Sequence, residues 1–128
     1  MSSIMVINAK GGSGKTTIST NLAAYYADAG FNVTLVDLDP QNSSLNWLSS
    51  RPITKAKIKG VSSLPPQKIS KKANDVTIFD VPAAIYGPRL ETYIKKARKI
   101  IIPVLPSPID MAAAKDFLKS IRNLGSVV

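Results

Sequence analysis

The run Lys10-Gly11-Gly12-Ser13-Gly14-Lys15-Thr16-Thr17 follows directly on an apolar stretch and leads directly into a helical pattern, an arrangement that few folds can hold. It predicts a phosphate-binding loop at a strand-to-helix junction. Gly11, Gly12 and Gly14 free the backbone to turn successive N–H groups toward an oxyanion, where a Cβ would obstruct. The helix that follows brings the positive end of its dipole to the same point. In such a loop Lys15 reaches the β and γ phosphates of a nucleotide, and the Thr16 hydroxyl sits on a Mg²⁺ ion bridging them.

Two other readings of the run are weaker. A dinucleotide fingerprint GxGxxG beginning at Gly12 fails at Thr17, where the third glycine belongs. A purely structural turn accounts for the glycines but not for a lysine and two threonines in register behind them. The strict pattern GxxxxGK[ST] is met with one departure: Ala9 stands where its first glycine would be, with Lys10 beside it.

Four short apolar runs, 4–7, 33–36, 76–79 and 100–105, are continuous rather than alternating, as expected for parallel strands buried on both faces. Helical patterns separate them. Ile18, Leu22, Tyr25, Tyr26 and Ala29 mark one that Gly30 closes, and Leu90, Tyr93, Ile94 and Ala97 mark another. The last opens with Ser107 as N-cap and Pro108 at the first helical position, with Asp110 three residues after the cap. It runs through Met111, Ala114, Phe117, Leu118 and Ile121 to a stop at Gly125, with Lys115, Lys119 and Arg122 as a positive stripe opposite.

This alternation predicts an α/β fold, a P-loop NTPase-like, open and mainly parallel sheet flanked by helices, with ligands at the carboxyl ends of its strands. Residues 1–128 read as a single such domain. The stretch 51–73, with Pro52, Pro65 and Pro66, reads as irregular surface carrying one edge strand near 57–61. Trp47, beside Leu45 and Leu48, reads as core on a short helix in preference to an interface anchor.

Carboxylates complete the candidate site. Asp37 and Asp39 close the second apolar run, and Asp80 closes the third, so all three are expected at the sheet edge that carries the loop. Three carboxylates there repel one another unless a cation sits among them, and Mg²⁺ is the cation expected. Any one of them reads equally well as an ordinary aspartate in a turn; the three together do not.

Composition excludes several classes. The chain has no cysteine and no histidine, which removes disulfides, thiolate clusters and ordinary zinc chemistry. Met1-Ser2-Ser3 runs straight into the first apolar stretch, so no signal peptide is expected, no run approaches membrane-spanning length, and a cytoplasmic protein is expected. Seventeen Lys and Arg against eight Asp and Glu leave a net charge of +9, which suits a polyanionic partner. The excess falls in two clusters. No acidic residue lies between Asp39 and Asp75, where Arg51, Lys55, Lys57, Lys59, Lys68, Lys71 and Lys72 occur; Arg89, Lys95, Lys96, Arg98 and Lys99 are opposed only by Glu91. A solvated surface explains either cluster alone.

The sequence KGGSGKTT, with lysine at its head, resembles the deviant Walker A motif of the ParA/MinD family of ATPases. VDLDPQNSS resembles the switch I segment of ParA-type proteins, FDVPA their Walker B and switch II with Ala83 in place of a second proline, and PVLPSPID a later strand-to-helix junction. The resemblance covers nearly the whole chain but implies further C-terminal strands and helices, so that the chain reads as C-terminally short. It implies ATP and Mg²⁺ as ligands. Lys10, Gly11, Gly12, Ser13, Gly14, Lys15, Thr16 and Thr17 would cradle the phosphates, Thr17 at the α phosphate; Thr16, Asp37 and Asp80 would form the metal set, Asp80 acting through water. Lys10, Lys15 and Asp39 would be catalytic, Asp39 positioning the attacking water and Lys10 reaching the ATP of a second subunit.

The implied function is plasmid or chromosome partition. ATP drives formation of a homodimer, the dimer binds DNA non-specifically on the nucleoid, and a ParB-like or other adaptor protein stimulates hydrolysis. The alternatives are a non-hydrolysing adaptor that binds nucleotide or DNA, and a ParA-like ATPase that positions a non-DNA cargo. A membrane-bound relative needs a C-terminal amphipathic anchor, which is not expected here, and a nitrogenase-reductase relative needs cluster cysteines, of which this sequence has none.

Overall fold

The computed structural model describes residues 2–7, 14–63, 72–82 and 88–122. In chain order the elements are β1 (Ser2–Val6), α1 (Lys15–Asp28), β2 (Asn32–Asp37), α2 (Ser43–Ser49), β3 (Ile58–Val61), β4 (Asp75–Asp80), α3 (Pro88–Ile94), β5 (Lys99–Ile101) and α4 (Pro108–Ile121). The five strands form one parallel sheet in the order β3-β2-β4-β1-β5. This is the P-loop NTPase-like α/β architecture expected from the alternation of strand and helix. β3 forms an edge of the sheet, as its lysine- and proline-flanked sequence suggests.

Successive residues of a strand face opposite sides of the sheet, and the two sides bury different layers. Ile4, Val33, Leu35, Val76 and Ile78 pack with Ala23 and Ala27 of α1, with Trp47 of α2 partly buried against them. Met5, Val36 and Phe79 lie on the other side with Leu90, Tyr93 and Ile94 of α3 and Phe117 and Ile121 of α4. α1 and α2 cover one face, and α3 and α4 the other.

The buried face of α1 differs from the expected stripe of large apolar residues. Lys15, Ser19, Thr20, Ala23 and Ala27 face inward, while Tyr25 is 67% exposed. Small side chains let the helix approach the sheet closely, and its buried hydroxyls are satisfied within the helix: Ser19 donates to the Lys15 carbonyl and Thr20 to that of Thr16, each at 2.9 Å. Leu22 and Tyr26 pack at the flank of the core.

α1 ends as expected at Gly30, which takes φ +93°. The Gly30 and Phe31 amides donate to the Ala27 and Tyr26 carbonyls, and the Tyr26 and Phe31 rings meet edge to face at 5.6 Å, forming a Schellman cap with its apolar contact. At the start of α4 the Ser107 hydroxyl accepts from the Asp110 amide at 3.1 Å, with Pro108 in the first turn.

β5 is shorter than its apolar run. Its ladder with β1 ends at Val6↔Ile101, and Pro103 has no N–H to extend it. Val104, Leu105, Ile109 and Met111 are left exposed, so only the Phe117 and Ile121 end of the α4 stripe is buried. Lys115 and Arg122 border the same groove as Ile102, Val104, Met111 and Leu118, rather than standing opposite the apolar stripe. The expected stop at Gly125 lies outside the described residues. Among the described residues no helix is long and apolar enough to cross a membrane.

Phe79 is among the largest fully buried side chains, whereas Ile53 is 99% exposed. Phe79→Ala is expected to lower unfolding free energy by about 3–5 kcal/mol through the lost transfer energy and the cavity left behind. Ile53→Ser should change it by less than about 0.5 kcal/mol. Urea denaturation of the two variants, read as midpoint shifts at constant slope, checks both.

Candidate functional site

Gly14 takes φ +83° and ψ +18° at the N-cap of α1, a left-handed conformation that any side chain would strain. Its carbonyl accepts from the Ile18 amide at 3.0 Å, so α1 begins immediately and Lys15 and Thr16 stand in the first turn. Thr17 is exposed beside them. Lys10, Gly11, Gly12 and Ser13 lie outside the described residues.

Asp37 and Asp80 are register partners at the last positions of β2 and β4. Each follows by two the inward residue of the α1 face, Leu35 or Ile78, so the strand period turns both carboxylates toward α1 and α2. Asp80 is fully buried. One of its oxygens accepts from the Lys15 ammonium; the other accepts from the Ser44 hydroxyl and, at 3.2 Å, from the Thr16 hydroxyl. The Lys15 ammonium also lies 3.6 Å from Asp39 Oδ2, and its side chain is only 9% exposed.

The three aspartates lie at the same sheet edge, as the sequence suggested, with Asp37 and Asp80 in register and Asp39 reaching the Lys15 ammonium that Asp80 also binds. Among the described residues no group of three or more acidic, histidine or cysteine side chains is disposed to hold a metal, and the cation between Asp80 and Asp39 is Lys15 itself. Asp37 is turned to the backbone: its Oδ1 accepts from the Asp39 amide at 3.0 Å and its Oδ2 from the Leu45 amide at 3.1 Å. Burial raises the Asp37 pKa above its ordinary value; those two amides oppose the rise, and the charges of Asp80 and Asp39 add to it.

Asp39, about a quarter exposed, heads a turn in which its Oδ1 accepts from the Gln41 amide at 3.0 Å and its carbonyl from the Asn42 amide at 2.9 Å. Asn42, at φ +54°, is the one non-glycine residue with positive φ among those described, and it leads into α2. Ser44 escaped the sequence reading. It closes the VDLDPQNSS segment, one of two adjacent serines there, and nothing in a linear pattern distinguishes a hydroxyl that turns onto a carboxylate of a distant strand.

The basic clusters are less uniform than their composition suggests. The Arg51 side chain is about nine-tenths buried; its Nε donates to the Ala56 carbonyl, its guanidinium lies 5.5 Å over the Trp47 ring, and Asp28 is 3.5 Å away. Lys95 pairs with Glu91 at 2.8 Å. Lys55, Lys57, Lys59, Lys72, Arg89, Arg98 and Lys99 have exposed side chains, as do Lys115, Lys119 and Arg122 of α4 and its end. Lys68 and Lys71 lie outside the described residues.

A family model described as the CobQ/CobB/MinD/ParA nucleotide binding domain matches residues 4–128. The chain belongs to this family. It is 32% identical over 126 residues to the "Maintenance of carboxysome distribution protein A" of Halothiobacillus neapolitanus, covering 94% of this chain and 58% of that protein. It is 30% identical over 122 residues to the "Probable plasmid-partitioning protein ParA" of Thermus thermophilus, covering 90% and 36%. A 48-residue stretch, 38% of this chain, is 54% identical to the "Chromosome-partitioning ATPase Soj" of Thermus thermophilus and covers 19% of it. The chain spans 36% to 58% of the length of the curated relatives it matches over most of its sequence. The start of α1, the buried Lys15 ammonium and the strand-end carboxylate of Asp80 meet at one point.

Because the folded pKa of Asp37 is raised, protonated Asp37 favours the folded state, and that contribution is lost as pH rises above its ordinary value of 3.8 and through the raised one. Asp37→Asn, which never carries the charge, should gain stability relative to the wild-type protein between that value and neutrality. Urea unfolding across this pH range measures the difference; a gap that narrows as pH rises contradicts the assignment.

Proposed function

We propose that the chain is the nucleotide-switching domain of a ParA-type partition ATPase. The observation that carries the reading is the double tie of Lys15, through one ammonium, to Asp80 and to Asp39. A buried lysine held by two carboxylates has counter-charges to exchange for phosphate when a nucleotide arrives, and the Thr16 hydroxyl and Asp80 carboxylate it leaves behind have the oxygen chemistry that suits Mg²⁺. Mg²⁺, when bound, would neutralise charge on the phosphoryl oxygens.

In this reading Lys10, Gly11, Gly12, Ser13, Gly14, Lys15, Thr16 and Thr17 hold the phosphates, with Thr16 and Asp80 turned to the metal. Asp37 serves chiefly to fix the segment carrying Asp39, because both its oxygens are occupied by backbone amides. Asp39 positions the attacking water, and Lys10 acts on the nucleotide of a second copy, so that ATP favours a homodimer. The exposed lysines and arginines bind DNA phosphates without sequence readout, a partner protein stimulates hydrolysis, and the ATP-bound form resides on the nucleoid in the cytoplasm.

The likeness to a carboxysome distribution protein over most of the chain supports a second reading, in which the same switch positions a protein assembly instead of a DNA segment. The two differ in cargo, which the partner specifies, and share the nucleotide chemistry.

Lys15→Ala should weaken ATP·Mg²⁺ binding roughly 10- to 100-fold, the worth of a charge-assisted contact, and calorimetric binding no weaker than wild type would defeat the nucleotide assignment. Asp39→Ala should leave ATP affinity nearly unchanged while reducing hydrolysis by about 10²-fold or more. Retention on non-specific duplex DNA at near-physiological salt is expected with ATP·Mg²⁺ and not with ADP·Mg²⁺ or without nucleotide. Equal retention in all three conditions would reduce the DNA reading to generic charge.

A further inference from the structure

We infer that Ser44 is a positioning residue that passes the state of the phosphate and metal site to helix α2 and, through it, to Asp39. The inference rests on the nucleotide reading above. Its structural basis is the sharing of Asp80 between two helices: Lys15 and Thr16 reach it from the first turn of α1, and Ser44 from the first turn of α2. Asp80 and Ser44 are both fully buried.

A bound nucleotide makes competing demands on these donors. Lys15 is needed at phosphate and Thr16 at the metal, so both α1 donors loosen their hold on Asp80 together. A fully buried carboxylate does not tolerate the loss of all its partners. Ser44 remains, and it belongs to an element that does not itself carry the phosphate loop. The orientation of Asp80 toward the metal after the exchange is thus shared with Ser44 of α2, and a rotation of Asp80 is felt by α2.

α2 has the attachments to transmit such a change. Its Leu45 amide donates to Asp37, the register partner of Asp80. Toward the sheet, Leu45 and Leu48 fill the space over Gly60 of β3, where an added Cβ would lie 2.8 and 2.6 Å from their terminal methyls. Its N-terminus continues from the turn headed by Asp39 through the left-handed Asn42. Displacing α2 therefore pulls on the turn that holds the Asp39 carboxylate 3.6 Å from Lys15.

Trp47, the single tryptophan of the chain, lies on α2 three residues beyond Ser44, with the Arg51 guanidinium over its ring. It provides a readout independent of turnover. Binding of a non-hydrolysable ATP analogue is measured by calorimetry over a Mg²⁺ series, with Trp47 emission recorded on the same samples and melting temperatures recorded for every variant.

The wild-type protein should bind the analogue with a Mg²⁺-dependent change in Trp47 emission. Ser44→Ala should keep analogue affinity within about threefold yet require roughly three- to tenfold more Mg²⁺, as expected when a supporting hydrogen bond near a metal is removed. Its Trp47 response should fall by at least half, and Ser44→Thr, which keeps the hydroxyl, should recover both. A folded Ser44→Ala variant with the wild-type Mg²⁺ requirement and emission change overturns the inference, as does a wild-type protein that binds with a silent Trp47. Absence of analogue binding by the wild-type protein overturns the nucleotide reading and this inference with it. Should Ser44→Ala unfold, Gly60→Val, which displaces α2 from outside the Asp80 pocket, carries the same comparison: a raised Mg²⁺ requirement supports the coupling and an unchanged one rejects it.

Discussion

The carboxylate of Asp80 is the point on which the site depends. It ends the central strand β4, is removed from water, and is held by a lysine and two hydroxyls that come from two different helices. A charge in that position is costly unless its hydrogen-bonding capacity is filled, and filling it locates the first turns of α1 and α2 relative to the sheet. The same requirement keeps Lys15 folded inward. The arrangement satisfies the protein without a ligand, yet every donor in it has the chemistry to engage an oxyanion or a hard cation.

Sheet periodicity explains why the carboxylates gather there. Asp37 and Asp80 lie opposite each other in register at two adjacent strand ends, on the face that α1 and α2 cover. The other face carries an aliphatic and aromatic cluster, with Ser3 and Thr77 buried on the same side of their strands, and α3 and α4 close it. Among the described residues, buried charge is confined to one edge of one layer, where the close approach of α1 through Ser19, Ala23 and Ala27 leaves its N-terminal turn beside the strand ends. Membership in the CobQ/CobB/MinD/ParA nucleotide-binding family agrees with this placement, and the relatives that match over most of the chain are named for distributing or partitioning larger cargo.

Much of the fold was legible in the sequence because strands buried on both faces leave uninterrupted apolar runs and because caps have local chemistry. Gly30 and the Ser107-Pro108-Asp110 combination fall where they were expected for reasons contained within a few residues. The exceptions have equally definite causes. β5 stops at Ile101 because its ladder with β1 ends and Pro103 follows. The buried face of α1 consists of small and polar residues because close packing on a sheet rewards small volume, which a search for large apolar residues overlooks. Arg51 counts as surface charge in a composition, but its guanidinium is folded over Trp47 toward Asp28.

The sequence by itself determined the helix start behind Gly14 that carries Lys15 and Thr16, and the placement of Asp37 and Asp80 at strand ends with Asp39 just beyond, since each depends on neighbours along the chain. Tertiary structure alone assigned Asp80 to Lys15, Thr16 and Ser44, whereas Asp37 and Asp39 turn to amides two to eight positions along the chain. These pairings join residues up to 65 positions apart in sequence. They arise from strand order and register, which bring β4 between β1 and β2. A one-dimensional pattern carries which groups are available; the geometry that assigns each buried charge its partner exists only once the sheet has closed around it.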